Sequence, residues 1–368
     1  MMKILKGMKY RIYPNIEQQY KLTIQFGHAR FAYNSTLSAY KDYYKETGKS
    51  LSFKDSSSRI TRLKCNDETN WLVQADSQVL QQKAKDVATA YKNFFEGRAG
   101  YPSFKKKHDK QSIRYPQRVK FQNNMTYLPK VGYVKTVFHR PLEGIQKSTT
   151  VSKTKTGKYF ISVLCQIDLV VTAHTNKDSK IGIDLGLKNF YTTSEGTKVP
   201  HPKLLKKAER AIKIAQRKLS KTKKNSANRR KARLHLAVKH EHLANARRDF
   251  LHKQSDSLTS EYSLIGTETL RVSNMMKNHC LAKSIGDSGW AEFVRQLEYK
   301  AIWNGGIVFK IDTFFPSSKT CSNCGYINKD LKLSERKWFC IGCQTILDRD
   351  INAAQNILNQ ATAGVAEC

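Results

Sequence analysis

Four cysteines near the C-terminal end constrain this chain more than any other feature. Cys321, Cys324, Cys340 and Cys343 stand in the spacing C-x2-C-x15-C-x2-C, the pattern of a four-cysteine zinc ribbon. Each C-x-x-C turn lets two thiolates converge on one ion, and four thiolates close a tetrahedron with no open position. Residues 316–347 are therefore predicted to fold around a structural Zn2+, with Trp338 and Phe339 packing beside Cys340. A redox role for one C-x-x-C fits less well, because there are two pairs. Cys65, Cys165, Cys280 and Cys368 are scattered, as befits ordinary thiols in a reducing compartment rather than a disulfide framework.

Charge narrows the class of partner. The 368 residues carry 65 Lys and Arg against 30 Asp and Glu, a formal net charge of +35. A compact chain of that charge repels itself unless a polyanion lies against it. Nucleic acid is the natural polyanion, since each neutralised phosphate releases a condensed counterion. The N-terminus MMKILKGMKYRIYP has no apolar stretch fit for a signal peptide, and no run approaches membrane-spanning length. The expectation is a soluble, bacterial-type cytoplasmic protein associated with the nucleoid, with no membrane partner.

Two domains are predicted. Residues 3–13 alternate as a strand, and Pro14 and Asn15 stop it and start a helix. Tyr20, Ile24, Phe31 and Leu37, and Phe26, Tyr33 and Tyr40, lie near helical spacing; a second helix covers about 76–97. The polar stretch from Ser52 to Ser58 separates them. The aromatics of this module read as core. Gly97, Gly100 and Pro102 lead into the basic loop Lys105, Lys106 and Lys107. From 111 to 170 short alternating runs punctuated by Pro and Gly predict a small antiparallel barrel, completed by strand 3–13, with the helical module (about 14–110) inserted. This first domain spans 1–175, and Thr172 to Ser179 is a linker.

A second domain, 176–360, opens with KIGIDLG, whose apolar run reads as a central strand. Residues 203–253 predict a helical hairpin with 18 Lys and Arg and three acids. Leu236, Leu243 and Phe250, one heptad apart, mark its buried stripe. The remaining surface reads as a positive rail against phosphates, carrying Arg229, Arg230, Arg233, Arg247 and Arg248. A strand at 263–270, a helix at 288–303, a strand at 306–315, the ribbon and a helix from DRDINAA follow. Residues 361–368 read as a frayed tail.

Three acids lie on different elements: Asp184 in IGIDLG, Glu268 at the end of SLIGTETL, and Asp350 in DRDINAA. An acid in an apolar strand is costly unless it meets a cation or a partner. Brought together, three would hold two divalent ions roughly 3.5–4 Å apart, as in two-metal phosphodiester cleavage, and hard oxygen ligands favour Mg2+ or Mn2+. Taken singly, each has a plainer reading. Asp348 and Asp350 suit a helix N-terminus, Glu268 a strand end, and Asp184 a turn before Gly186. Arg349 suits a salt bridge or a phosphate contact. Ser317, Ser318 and Lys319 suit either the turn into the ribbon or the nucleic-acid path.

MKYRIYP, GYPSFKKK, HRPLEG, VSKTKTGKYF, GIDLGLKNF, GWAEFVRQLEYKA, FFPSSKTCSNCG and DRDINAAQNI run nearly end to end in this order. With them the chain resembles the TnpB family, RNA-guided nucleases of bacterial insertion sequences related to type V CRISPR effectors and Fanzor proteins. The resemblance implies a multidomain α+β and α/β architecture: a wedge β-barrel with an inserted helical recognition module, then an RNase H-like (RuvC) nuclease domain with an embedded zinc ribbon. It implies a guide RNA made from the transposon end, and cleavage of double-stranded DNA beside a short adjacent motif by a monomeric ribonucleoprotein. It places the nuclease acids on Asp184, Glu268 and Asp350, not Asp348, and the zinc ligands on the four cysteines. The chain departs from the family's pattern at Thr269 (Asp is usual), at Cys-Ile-Gly-Cys-Gln in the second knuckle and at Leu347 (His is common). A guided DNA-binding repressor would have lost an acid, and all three are present. Transposases on the same fold order their acids Asp, Asp, Glu, unlike the order here, though a transposition accessory role is a further alternative.

Overall fold

The computed structural model describes residues 2–170, 173–332 and 334–366. Residue 172 of the expected linker and residues 367–368 of the expected tail lie outside them. The chain divides into two compact units, one of Met2–Leu169 and one that begins at Val170.

In the first unit, β1 (Met2–Tyr13) leads into three helices, α1 (Ile16–Thr47), α2 (Phe53–Cys65) and α3 (Ser77–Phe95). Asn15 starts α1 through a capping box with Gln18, so the strand-to-helix switch is local chemistry. Six strands follow: β2 (Gln111–Tyr115), β3 (Lys120–Gln122), β4 (Met125–Leu128), β5 (Gly132–Val137), β6 (Ile145–Lys153) and β7 (Tyr159–Leu169). They form one sheet with β1, in the order β2-β6-β7-β1-β5-β4-β3. The expected barrel is a half-barrel, because the end strands β2 and β3 are not paired. It still curls: Tyr115 of β2 and Phe121 of β3 pack into one core with Met8, Tyr10 and Ile12 of the central strand.

The serine-rich stretch expected to separate helices is instead the start of α2. Ser52 caps it, its hydroxyl accepting from Asp55 N, and Ser56 and Ile60 are buried. Of the aromatics read as core, Phe26, Tyr33 and Tyr40 are buried, whereas Tyr20 is 68% exposed. A 32-residue helix carries more apolar residues than one packed face can cover.

The second unit contains β8 (Lys180–Leu185), β9 (Asn189–Thr193), β10 (Lys198–Pro200), α4 (Leu204–Ser220), α5 (Ala227–Glu261) and β11 (Leu264–Glu268). Then come α6 (Val272–Met275), α7 (Ala282–Ser288), α8 (Trp290–Trp303), β12 (Ile307–Ile311), β13 (Lys337–Phe339), β14 (Ile346–Asp348) and α9 (Arg349–Ala366). The main sheet has the order β10-β9-β8-β11-β12. The first three strands form an antiparallel meander, while β11 is parallel to both β8 and β12. A three-stranded meander continued by parallel strands, with helices on both faces, is the RNase H-like arrangement.

Alternation along the strands divides the two faces. Ile181, Ile183 and Ile265 join Leu251 and Leu258 of α5 and Phe293 and Leu297 of α8 in one core. The opposite face carries Gly182 and Gly266, which are register partners, and there α9 lies close. A β-carbon on Gly182 would stand 2.0 Å from Ala354 O, and one on Gly266 would stand 2.9 Å from Ala361 Cβ. Buried Ala353, Ala354, Ile357 and Ala361 complete that contact. It also explains why the expected tail is helical to Ala366: Ala361 is fully buried.

The basic hairpin is α4 and α5, and α5 runs on to Glu261, past the expected end at 253. Its last turns bury Ser255 and Thr259 as well as leucines, and Ser255 Oγ donates to Gln296 Oε1 at 3.1 Å. Among the described residues no helix is long and apolar enough to cross a membrane.

Candidate functional site

Two centres stand out in the second unit. The first is at the C-terminal ends of β8 and β11. The parallel register pairs Gly182 with Gly266 and Ile183 with Thr267, so the next residues, Asp184 and Glu268, stand side by side. Ala354 lies over Gly182, and Asp350 comes one helical turn earlier, in the first turn of α9. Helix and strands thus bring three acids from distant parts of the sequence to one place. Burial first, then the neighbouring Glu268 and Asp350 carboxylates, hold the Asp184 carboxyl well above the ordinary range, and Arg349 and Arg336 pull the other way. Burial also raises Glu268, opposed by the Ser317 hydroxyl and Arg349.

The two acids of DRD divide their work. Asp348 Oδ1 accepts from Asp350 N and Ile351 N, both at 3.2 Å, so Asp348 caps α9. Its Oδ2 accepts from Lys198 Nζ at 2.6 Å. Asp350 meets Arg336 Nη1 at 3.3 Å. Ser317 Oγ donates to Glu268 Oε1 at 2.8 Å. Thr269, where the resemblance leads one to expect Asp, donates its hydroxyl to Ile311 O at 2.6 Å and ties β11 to β12.

The second centre is the ribbon. The sulfurs of Cys321, Cys324, Cys340 and Cys343 all lie within 4.8 Å of one another, the one such cluster of His, Cys, Asp or Glu ligand atoms among the described residues. Cys321 and Cys343 Sγ are 3.6 Å apart, and Cys324 and Cys340 Sγ 3.5 Å. A tetrahedron with metal–sulfur bonds near 2.3 Å has edges of about 3.8 Å, so this four-cysteine cluster fits a zinc ribbon. Trp338 packs inside it with Leu331 and Leu347, while Phe339 is exposed. Of the three acids, Glu268 accepts from Ser317 and Asp350 pairs with Arg336.

Basic residues singled out from the sequence fall into two groups. Arg230, Arg233, Arg248, Lys105, Lys106 and Lys107 are exposed, and Lys105 extends its ammonium over the Tyr33 ring. Arg229, Arg247 and Lys319 each make hydrogen bonds within the protein. Arg229 donates to Leu219 O and Thr222 O and closes the hairpin turn. Arg247 donates to Asp287 O and Oδ1. Lys319 Nζ donates to Lys329 O at 2.7 Å. Arg349 acts on Asp184 and Glu268.

This grouping gives a prediction. Arg247→Ala leaves Asp287, 7% exposed, without its ion-pair partner and, among the described residues, with only Leu205 N donating to it, so thermal unfolding should show a loss of about 2 kcal/mol or more. Arg248→Ala should leave stability unchanged and lower the salt dependence of nucleic-acid binding by about one ion.

The sequence reading missed Arg336, Asn352 and Asn356. Both asparagines are buried on the packed face of α9, at 1% and 5% exposure. Their signal was available: two amides at i and i+4 among alanines that otherwise mark a core stripe.

Comparison with known proteins agrees with this layout. A family model described as "Probable transposase" matches residues 150–279, a "Cas12f1-like, TNB domain" model matches 290–357, and a "Helix-turn-helix domain" model matches 1–49. In the last segment the structure has strand β1 and the single long helix α1. A Streptomyces pristinaespiralis protein named "Putative RNA-guided DNA endonuclease" is 36% identical over 100% of this chain and 92% of its own length. The chain belongs to the TnpB family. Another member, InsQ of Escherichia coli K12, carries the same description and is 33% identical over 99% of this chain and 94% of its own. The family's fold extends to solved structures. A Cas12f1 complex with guide RNA and target DNA has a TM-score of 0.58 at 15% identity, covering 97% of this chain and 99% of that one.

Proposed function

We propose that this protein is an RNA-guided DNA endonuclease whose nuclease centre is Asp184, Glu268 and Asp350. The observation that carries the reading is the register that sets Glu268 beside Asp184 under the first turn of α9. Burial first, and then the facing Glu268 and Asp350 carboxylates, oppose the charge on Asp184, and hard oxygen donors of this kind suit Mg2+ or Mn2+. Two such ions, when bound, supply Lewis acidity for in-line phosphodiester hydrolysis, activating water and neutralising the leaving oxygen. Asp184, Glu268 and Asp350 would hold them. Arg349 and Arg336 temper the negative charge at the same place.

Sequence choice would come from pairing between the guide, made from a transposon end, and its target. The exposed cations of α5 and the Lys105 loop would hold nucleic-acid backbone, and a short motif beside the target would be read on the duplex. The working form would be one chain per ribonucleoprotein. The ribbon cysteines would hold Zn2+ in a closed, structural role.

The reading is tested with the purified ribonucleoprotein and a plasmid matching its guide. Cleavage should require Mg2+ or Mn2+, stop in chelator and resume when the ion is restored. Cleavage that persists in chelator would remove the carboxylates from the chemistry.

A further inference from the structure

The turn that enters the ribbon touches both the nuclease strands and α9. Ser317 is 5% exposed, and its hydroxyl donates to Glu268 Oε1 at 2.8 Å. Its own carbonyl is fixed from the other side, accepting from Asn356 Nδ2 at 2.8 Å and Asn352 Nδ2 at 3.5 Å. The same two amides donate to Thr320 O, at 2.6 and 2.7 Å. Asn352 Oδ1 accepts from Ser322 N, just past Cys321, at 2.8 Å. The Pro316–Ser322 turn is thereby clamped to the helix that carries Asp350 in its first turn, and one of its side chains reaches Glu268.

Resting on the reading of the three acids as cation ligands, we propose that Ser317 is a positioning residue for Glu268. Held by the Asn352 and Asn356 clamp, it fixes the carboxylate's rotation and couples the first zinc knuckle to the nuclease centre. Ser317 engages Oε1, which leaves Oε2 as the oxygen its hydroxyl does not hold. Both side chains of the clamp come from α9, so Glu268 is aligned to the same helix that delivers Asp350. Partners that orient a metal-binding carboxylate typically change metal affinity 10–100-fold when removed.

Mn2+ affinity of the guide-loaded protein, read by electron paramagnetic resonance without DNA, tests this. Ser317→Ala should weaken binding of the Asp184-dependent Mn2+ by about tenfold or more. Zinc content and thermal midpoint should stay at wild-type values. Ser317→Thr, which keeps the hydroxyl, should restore the affinity. Wild-type Mn2+ affinity in Ser317→Ala would overturn the proposal, as would a loss that Ser317→Thr does not recover. If Asp184→Asn removes no Mn2+ from the wild-type background, the reading of the acids falls as well, and the two failures are told apart in one titration series.

Discussion

Gly182→Val should destabilise the second unit by about 3 kcal/mol or more and abolish activity with it. The position has no room for a side chain. Its β-carbon would stand 2.0 Å from Ala354 O and 2.7 Å from Leu358 N. Both are backbone atoms in the middle of a helix, so no rotamer change relieves the clash, and α9 must lift from the sheet. Lifting α9 uncovers Ala354, Ile357 and Ala361 and carries Asp350 away from Asp184. Against a typical domain stability of about 5–15 kcal/mol, such a loss is large. Gly7→Ala is the control, since nothing lies within 4 Å of the added carbon. Chemical denaturation of both variants would check it: a Gly182→Val midpoint equal to that of Gly7→Ala would mean that α9 does not rest on this glycine.

That glycine also shows what could be read in the sequence and what could not. The strand KIGIDLG was plain from its apolar run, and an acid inside such a run marks itself as unusual. That Gly182 is the seat of α9 was not readable, because the helix lies some 170 residues further on and only the folded sheet brings the two together. The ribbon was readable from spacing alone, since cysteine pairs carry their geometry locally. Helix α2 was not, because its serines are poor helix formers, and the cap at Ser52 and the burial of Ile60 decide the matter. The end of α5 was missed for a related reason. Beside Leu251 and Leu258, Ser255 and Thr259 are buried there through hydrogen bonds, and polar residues give no apolar signal that the helix continues. Among the cations, charge gave the class of partner but not the role of each residue. Arg248 and Arg247 are neighbours, yet one faces solvent and the other holds Asp287.

Asp184→Asn carries the largest expected effect on chemistry. The change keeps the size of the side chain and removes one charge from a group of three facing carboxylates. Because burial and the like charges of Glu268 and Asp350 already oppose ionisation of Asp184, the variant should fold at least as stably as the wild type. Its loss should fall on cation binding and on the reaction. Losing one ligand of a two-cation centre removes several kcal/mol of transition-state stabilisation. Taking about 4 kcal/mol, the rate falls about a thousandfold. The most direct measurement follows cleavage and target binding together, in one preparation of guide-loaded protein with Mg2+, for the wild type and for Asp184→Asn. The account predicts that the variant binds its guide-matched DNA with wild-type affinity and cuts it at a thousandth of the rate or less. A variant that cuts at the wild-type rate would contradict the assignment of the nuclease centre.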